Sequence, residues 1–520
     1  MRYFNIAGPC NSAKHYMIDA STRLQGVEQL IDSEQYFVIH AARQSGKTTY
    51  LQDLTQRLNA EGKYYALYCS LESAQNVVEP ERGIPAIFDC IVLALQKTSI
   101  PFTYNENYER DKKNRPLVLL TLFLMNLVKS LDKPLVVLFD EADCLSEGTL
   151  ISFLRQLRNG YNDRSFAPFV HSIALVGMRN IRDYKVMIRP ESQSLGSASP
   201  FNIITETYTL QNFTKEEITQ LYRQHTGETG QIFEDDATEL VYEQTQGQPW
   251  IVNAIAHEVI VRILKSDCTK PVTTELVNQA IQNIILTRPA HIDSLLERLK
   301  EDRVRKIIEP MILGEGFINK ESDDFLYTRD LGLIRVENAQ IKPSNPIYAE
   351  VIIRKLSSQM QDELQNPQYP YQMPRYLKQD GNIDVDYLMR DFQKFWQLNN
   401  GVWLEMCDYP EAGPVLVMMA FLQRIVNGGG DIIRDMASGN GRLDLLLTYK
   451  DKKYPIELKI RYGKKYISDG LDQTARYIDL QCCNEGWMAV FDRRTTVAWE
   501  DKLYMKKEIV DGKTITIVGL

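Results

Sequence analysis

The segment that most constrains this chain of 520 residues joins a short apolar stretch to a helix through a glycine-containing turn. The stretch Tyr36–His40 (YFVIH) is typical of a buried strand, and residues 48–60 are typical of a helix. Between them, residues 41–48 (AARQSGKT) follow the pattern G-x-x-x-x-G-K-[ST], with Ala41 replacing the first glycine. Backbone amides at a helix N-terminus favour an anion. The sequence therefore predicts a phosphate-binding loop between a strand and a helix.

Each residue type in this loop has a physical role. Gly46 lets the backbone approach a phosphate closely, Lys47 can reach terminal phosphates, and the Thr48 hydroxyl can bind Mg²⁺. The residues predicted to contact nucleotide are Ala42, Arg43, Gln44, Ser45, Gly46, Lys47, Thr48 and Thr49.

A second acidic motif follows about ninety residues later. Residues 134–139 (PLVVLF) predict a buried strand that ends in Asp140 and Glu141. We expect Asp140 to hold Mg²⁺, directly or through water, and Glu141 to polarise the attacking water as the catalytic base. The two motifs in this order predict nucleotide binding and, less directly, hydrolysis.

The spacing of strands and helices predicts the fold class. Apolar strands at 64–69, 134–139 and 172–176 alternate with helical stretches, which indicates an α/β domain with a parallel sheet covered on both faces. The chain turns helical from about residue 210, and residues 331–343 predict a hairpin typical of a small winged helix. Residues 359–384 are polar and proline-containing, which favours a linker.

Composition excludes several classes of protein. A net charge of −8 argues against a polycationic nucleic-acid binder but leaves room for a local basic groove. The eight cysteines form no C-x-x-C pair, which disfavours a disulfide framework or zinc knuckle. The longest apolar run, residues 117–127, is too short for a membrane span, which needs roughly 20 residues. We therefore expect a cytoplasmic protein.

These motifs resemble those of the broad AAA+/STAND class of P-loop ATPases. The tripeptide at Gly247, Gln248 and Pro249 resembles the class's G-x-P motif, which implies that Pro249 contacts the nucleotide from a helical lid. Residues 344–352 (SNPIYAEVI) resemble the end of the winged helix in the archaeal-type ATPase clade. The resemblance covers residues 1–360 and implies ATP and Mg²⁺ as cofactors, and a role in defence or mobile elements.

Two further roles stay open. An arginine that stabilises the γ-phosphate is expected near the second motif or just after the following strand, and solvated arginines are the alternative. The candidates are Arg155, Arg158, Arg179 and Arg182. Tyr16 or Met17 can lie against the adenine, and a plain packing role is equally compatible with the sequence.

A second constellation lies near the C-terminus, in GRLDLLLTYKDKKYPIELKI. Residues 443–448 and 454–460 predict two strands joined by a charged turn. Glu457 and Lys459 are two residues apart and therefore share a face, and a hairpin can bring Asp444 close to Glu457. Two carboxylates beside a lysine predict a Mg²⁺ or Mn²⁺ site that activates water for attack on a phosphate.

This arrangement resembles the PD-(D/E)XK nuclease superfamily, over residues 385–520. The resemblance implies that Asp444 and Glu457 hold metal, that Lys459 positions water or stabilises phosphorus, and that two neighbouring helices contribute. Glu411 is the matching extra metal-binding acid, and Gln473 is the matching catalytic glutamine. Leu443 stands where the family has proline. Basic residues in or just after the second strand favour a phosphate-backbone groove, although a solvated loop is an equal alternative.

Together these inferences predict five segments: a P-loop ATPase core (1–209), a lid (210–290), a winged helix (291–358), a linker (359–384) and a nuclease-like domain (385–520). The predicted function is an ATP-regulated, metal-dependent DNA endonuclease, which is compatible with a homo-oligomer. One alternative is an ATP-switch scaffold whose nuclease-like domain binds nucleic acid or protein without cutting. The other is a motor that translocates on DNA.

Overall fold

The computed structural model of the chain falls into two compact units. Unit 1 comprises Met1–Ile284 and Arg329–Gly332, and unit 2 comprises Ile285–Thr328 and Leu333–Leu520. The structure describes residues 2–178, 203–313, 319–337, 340–363, 376–406, 413–426, 430–435, 444–450, 452–461, 466–492, 494 and 496–520. Within these ranges, no helix is both long enough and apolar enough to span a membrane.

Unit 1 is built on a five-stranded sheet in the order β2-β3-β4-β1-β5. Its strands are β1 (Tyr36–His40), β2 (Tyr65–Ser70), β3 (Leu135–Asp140), β4 (Ser172–Gly177) and β5 (Ile204–Thr209). All neighbouring strands pair in parallel. The predicted α/β class and parallel sheet are therefore confirmed, and the four predicted strands lie within one residue of their expected bounds. Sequence analysis did not predict the partly exposed edge strand β5.

Helices pack on both faces of this sheet. The α-helices described in unit 1 are α1 (Val27–Asp32), α2 (Lys47–Glu61), α3 (Pro80–Leu95), α4 (Glu106–Asn114), α5 (Leu119–Ser130), α6 (Glu147–Asp163), α7 (Lys215–Thr229), α8 (Asp235–Thr245), α9 (Pro249–His257) and α10 (Thr274–Thr287), which crosses the boundary at Ile284. One apolar core contains residues of α3, α5 and α6. The other contains residues of α1 and α2, so α2 holds the predicted phosphate-binding loop against the sheet.

Helix α7, the first helix after the sheet of unit 1, begins directly after its capping residue Thr214. The Thr214 side chain accepts the Glu217 backbone N–H, and the Glu217 carboxylate accepts the Thr214 N–H. This capping box satisfies two donors that the first turn of α7 leaves without partners. Phe4 and Tyr16 of the N-terminal segment pack against this helix, next to Tyr222.

Unit 2 contains helices, a hairpin and a second sheet. Its helices are α11 (Ala290–Glu297), α12 (Asp302–Leu313), α13 (Asp323–Asp330, shared with unit 1), α14 (Pro346–Glu363), α15 (Val385–Met406), α16 (Gly413–Val426), α17 (Tyr466–Leu480) and α18 (Trp499–Lys502). The antiparallel strands β6 (Ile334–Glu337) and β7 (Gln340–Pro343) lie where the sequence predicts a hairpin. Helix α14 runs to Glu363, inside the segment predicted as a linker, because Gln, Met and Glu there favour helix.

The second sheet is six-stranded and mixed, in the order β12-β13-β11-β10-β9-β8. Its strands are β8 (Gly430–Asp435), β9 (Asp444–Tyr449), β10 (Lys452–Ile460), β11 (Glu485–Phe491), β12 (Met505–Val510) and β13 (Lys513–Gly519). Strands β8, β9 and β10 form an antiparallel meander, whereas β10 and β11 are parallel. Parallel neighbours need a crossover, and α17 supplies it between β10 and β11.

Candidate nucleotide site and second acidic site

The loop before α2 has the backbone that phosphate binding requires. Gly46 has φ 94° and Gln44 has φ 55°, so both lie in the left-handed region. Among the described residues, apart from its chain neighbours and the helix's own backbone, no atom lies within 4 Å of the position that a Cβ on Gly46 would occupy. Gly46 is the N-cap of α2, at the end of the helix where an anion is favoured. The Ser45 hydroxyl donates to the Ala42 carbonyl at 2.8 Å and braces the loop, whereas Arg43 is exposed.

Lys47 is buried, with 7% of its surface exposed. Its Nζ donates to the carbonyl oxygens of Ala41 at 2.7 Å and Ala42 at 2.9 Å. Burial lowers the pKa of Lys47, while the nearby carboxylates of Glu141, Asp143 and Asp140 oppose that shift. The Lys47 amine is thus fixed within the loop and lies near three acidic side chains.

Asp140 joins the loop to the end of β3. It is 1% exposed, and its Oδ2 accepts the Thr48 hydroxyl at 2.7 Å and the Tyr68 hydroxyl at 3.0 Å. Its Oδ1 accepts the backbone N–H of Glu141 at 3.0 Å. Thr48 and Asp140 were both predicted as metal ligands, and the fold brings them into direct contact. Tyr68 was not predicted, because its contact crosses two strands that are far apart in sequence.

Glu141 follows directly with φ 56°, a left-handed conformation that is uncommon outside glycine and often marks functional sites. Burial raises the pKa of the Glu141 carboxyl, and the neighbouring charges of Asp143 and Asp140 raise it further. Lys47 acts in the opposite direction. A carboxyl tuned upward in this way suits a general base near neutral pH.

The N-terminal segment links this loop to the helix that begins with Pro249. The Trp250 indole N–H donates to the Ile6 carbonyl at 2.9 Å, and the Cys10 N–H donates to the Thr49 hydroxyl at 3.0 Å. Pro249 is the first residue of α9, and the Gln248 side chain caps that helix. Residues 6–10 therefore contact both α9 and the start of α2.

The second predicted site lies in unit 2, on β9 and β10. The register places Asp444 directly opposite Glu457, as the predicted hairpin requires. Glu457 is fully buried, and Lys459 Nζ lies 2.8 Å from its Oε1. The same register places Asp435 of β8 directly opposite Asp444. The backbone register thus places Asp435, Asp444 and Glu457 in a row across three neighbouring strands.

Helix α17 packs against the lysine of this row. A Cβ on Gly470 would lie 2.6 Å from the Met488 sulfur and 3.5 Å from carbons of the Lys459 side chain, so this part of α17 lies directly against the lysine. Gln473 lies three residues along the same helix, and its Oε1 is buried without a hydrogen-bond partner among the described residues. Glu411 and the side chain of Asp444 lie outside the described residues. Among described side chains, no group of three His, Cys, Asp or Glu is placed to hold a metal.

Residues 7–353 match the sequence profile of the AAA-like domain. The chain belongs to the AAA-like domain family. Its five-stranded parallel sheet and its two nucleotide motifs agree with this assignment. The AAA-like domain is therefore a P-loop ATPase domain, which binds and hydrolyses nucleotide. No curated protein matches the chain.

Solved structures similar to the AAA-like domain include a Walker-type ATPase of Pyrococcus abyssi, at 15% identity and TM-score 0.47, covering 67% of this chain and 99% of that one. Cdc6p from Pyrobaculum aerophilum is 14% identical with TM-score 0.36, covering 65% and 94%. The RuvB Holliday junction branch migration motor of Thermotoga maritima is 13% identical with TM-score 0.32, covering 64% and 92%.

The donor set of the AAA-like domain fits Mg²⁺ and a nucleotide phosphate. A hydroxyl and a carboxylate in contact, Thr48 and Asp140, are hard oxygen ligands of the kind Mg²⁺ prefers. Gly46, the N-cap of α2, has no side chain between its backbone and an approaching phosphate.

The structure describes four of the six residues whose roles the sequence leaves open. Tyr16 is 1% exposed and contacts His225 and Glu228, which fits the packing alternative. The Met17 backbone is held by Gln224. Arg155 is exposed on α6, and Arg158 is half-buried on the same helix. Arg179 and Arg182 lie outside the described residues.

Removing the charge of Asp143, an acid near Glu141, should shift the low-pH side of the pH–rate profile of ATP hydrolysis to lower pH. Glu141 acts as a base only when deprotonated, so kcat/KM for ATP should rise with pH through its raised pKa. Asp143→Asn removes a like charge and should lower that pKa, shifting the limb towards that of an ordinary glutamate. The pH profile of kcat/KM measures the shift. The exposed Asp132→Asn is the control, and an acid limb unmoved by Asp143→Asn would contradict this assignment.

A side chain at Gly247, the glycine of the G-x-P motif, would clash with the backbone of Phe213. Gly247 has φ 73°, and a Cβ on it would stand 1.9 Å from the Phe213 carbonyl oxygen. Gly247→Ala should therefore lower the free energy of unfolding by more than about 2 kcal/mol, as chemical denaturation would measure. Gly230→Ala isolates the backbone cost, since Gly230 has φ 77° but open space around it. Equal losses in the two variants would disprove the clash.

Proposed function

We propose that this chain is an ATP-regulated, metal-dependent nuclease, in which the AAA-like domain binds and hydrolyses ATP and residues 385–520 cut DNA. The observation that carries the second half is the pairing of Asp444 with Glu457 beside the Glu457–Lys459 ion pair. Two acidic residues at opposed register positions beside a lysine supply the groups that metal-dependent phosphodiester hydrolysis needs.

In the ATPase step, the amides around Gly46 and the Lys47 ammonium bind the phosphates. Thr48 and Asp140 would hold Mg²⁺, which when bound neutralises charge on the phosphate oxygens. Glu141, held in a left-handed conformation at the end of β3, orients and deprotonates the attacking water.

In the nuclease step, Asp444, Glu457 and Glu411 would hold Mg²⁺ or Mn²⁺, which when bound supplies an activated water. Lys459 lies on the face of Glu457 and stabilises negative charge on the phosphate under attack. The order of elements supports this proposal, because the helix α16, the antiparallel pair β9 and β10 and the helix α17 follow one another in the order that the resemblance implies.

The regulatory link is a change in the AAA-like domain between its ATP and ADP forms, as in the STAND class that it resembles. The segment of residues 6–10 contacts both the G-x-P helix and the loop helix, so it would respond to a bound nucleotide. A shift between two such states can switch a second domain on or off.

A cleavage assay tests the proposal directly. The full chain is incubated with supercoiled plasmid and with short DNA or RNA, in Mg²⁺ or Mn²⁺, with and without ATP. We expect metal-dependent nicking whose rate changes with ATP. Nucleic-acid binding without any cleavage would support the ATP-switch scaffold instead, and ATP turnover stimulated only by long DNA would support a motor.

A further inference from the structure

Tyr68 on β2 contacts the acid that follows β3. Its hydroxyl donates to Asp140 Oδ2 at 3.0 Å, and the Thr48 hydroxyl donates to the same oxygen at 2.7 Å. The other carboxylate oxygen accepts the backbone N–H of Glu141. Three donors from three parts of the domain thus hold this one carboxylate.

The sheet register explains how Tyr68 reaches it. Tyr68 is opposite Leu138, and Asp140 is two residues further along β3, so the three side chains share one face of the sheet. Two residues span roughly 6.6 Å along a strand, a distance that a tyrosine side chain can bridge. This face carries α2, and Tyr68 packs against the apolar core on that side. The hydroxyl is therefore fixed both by its ring and by its partner.

The Thr48 hydroxyl gains a second role when metal is bound. As a metal ligand it turns an oxygen lone pair towards the ion, and its O–H can donate to Asp140 only in a direction that this coordination leaves open. The Tyr68 hydroxyl is not a predicted metal ligand. Its hydrogen bond to Asp140 Oδ2 therefore does not depend on how the ion orients Thr48.

We propose that Tyr68 is a positioning residue for the metal site of the AAA-like domain, holding the Asp140 carboxylate in the orientation that binds Mg²⁺. This inference rests on the ATPase half of the proposed function. Outer partners of metal-binding carboxylates typically contribute ten- to hundredfold in metal affinity. Tyr68 lies outside both sequence motifs, and it would act only through Asp140.

Tyr68→Phe tests the proposal, because it removes the hydroxyl and keeps the ring. Binding of a fluorescent ATP analogue is titrated with Mg²⁺ in the full chain, and Mn²⁺ binding is measured by electron paramagnetic resonance. We expect the Mg²⁺ midpoint to rise about tenfold, with unchanged nucleotide affinity in EDTA. Hydrolysis should recover wild-type kcat at saturating Mg²⁺, a pattern that a damaged fold would not give.

Tyr65→Phe is the matched control. Tyr65 lies on the same strand, and its hydroxyl donates to the Asp132 carboxylate at 2.9 Å, outside the nucleotide motifs. A Mg²⁺ midpoint for Tyr68→Phe within twofold of that control would overturn the role of Tyr68 alone. Wild-type protein that binds no nucleotide with Mg²⁺ would overturn both the ATPase proposal and this one.

Discussion

Asp444→Asn is expected to abolish metal-dependent DNA cleavage by the full chain while leaving nucleotide binding intact. The substitution keeps the size of the side chain and removes one of the two opposed charges that would hold the metal. Losing about 4 kcal/mol of charge stabilisation in the transition state corresponds to about a thousandfold loss in rate. The plasmid assay in Mg²⁺ and Mn²⁺ measures the cleavage rate, and fluorescence anisotropy of an ATP analogue measures nucleotide binding.

Asp444 is a better residue to substitute than Lys459 because Lys459 forms an ion pair with Glu457. Lys459→Ala would remove the cation beside the fully buried Glu457, and breaking a buried ion pair typically costs about 3–5 kcal/mol of stability, which would confuse unfolding with lost chemistry. Asp472→Asn on the exposed surface of α17 is the matched control for the change of charge. Undiminished cleavage by purified Asp444→Asn would reject the nuclease assignment and leave the scaffold as the better explanation.

The nucleotide site was largely predictable from sequence because its parts are local. The strand before Ala41, the left-handed Gly46 and the helix after it follow from a single run of residues. The acid at the end of β3 is equally local, since a buried apolar strand must end at a polar edge. Tyr68 was missed for the opposite reason, because it reaches Asp140 across two strands that lie 72 residues apart.

In the second sheet, too, the local features were predictable from the sequence and the pairings between distant strands were not. Period-two spacing placed Glu457 and Lys459 on one face, and the hairpin length predicted the pairing with Asp444. Asp435 was missed because β8 lacks the apolar run that marks β9, so only the register brings it into the row. Strand β13 pairs with β11 and β12 pairs with β13, and these pairings are not specified by a local pattern.

Lys47→Ala should remove ATP hydrolysis and weaken nucleotide binding by about a hundredfold or more. The side chain supplies the only lysine cation of the loop, and charge-assisted bonds to phosphate are each worth about 1.5–3 kcal/mol. Its loss also removes the cation that opposes Asp140, Asp143 and Glu141, so the pKa of Glu141 should rise further and weaken the base at neutral pH. Anisotropy with a fluorescent ATP analogue and phosphate release measure the two effects.

The same variant separates the three functions when cleavage is followed in parallel. If ATP regulates the nuclease, Lys47→Ala should retain basal nicking in Mg²⁺ and lose its response to ATP. A motor would instead lose all DNA-stimulated turnover, because translocation needs every hydrolysis cycle. Lys63→Ala is the control, since Lys63 is exposed, lies outside the nucleotide motifs and forms an ion pair with Asp32 at 2.6 Å. ATP hydrolysis by Lys47→Ala at the control rate would contradict the phosphate-binding role, because no other loop residue carries a buried cation at that position.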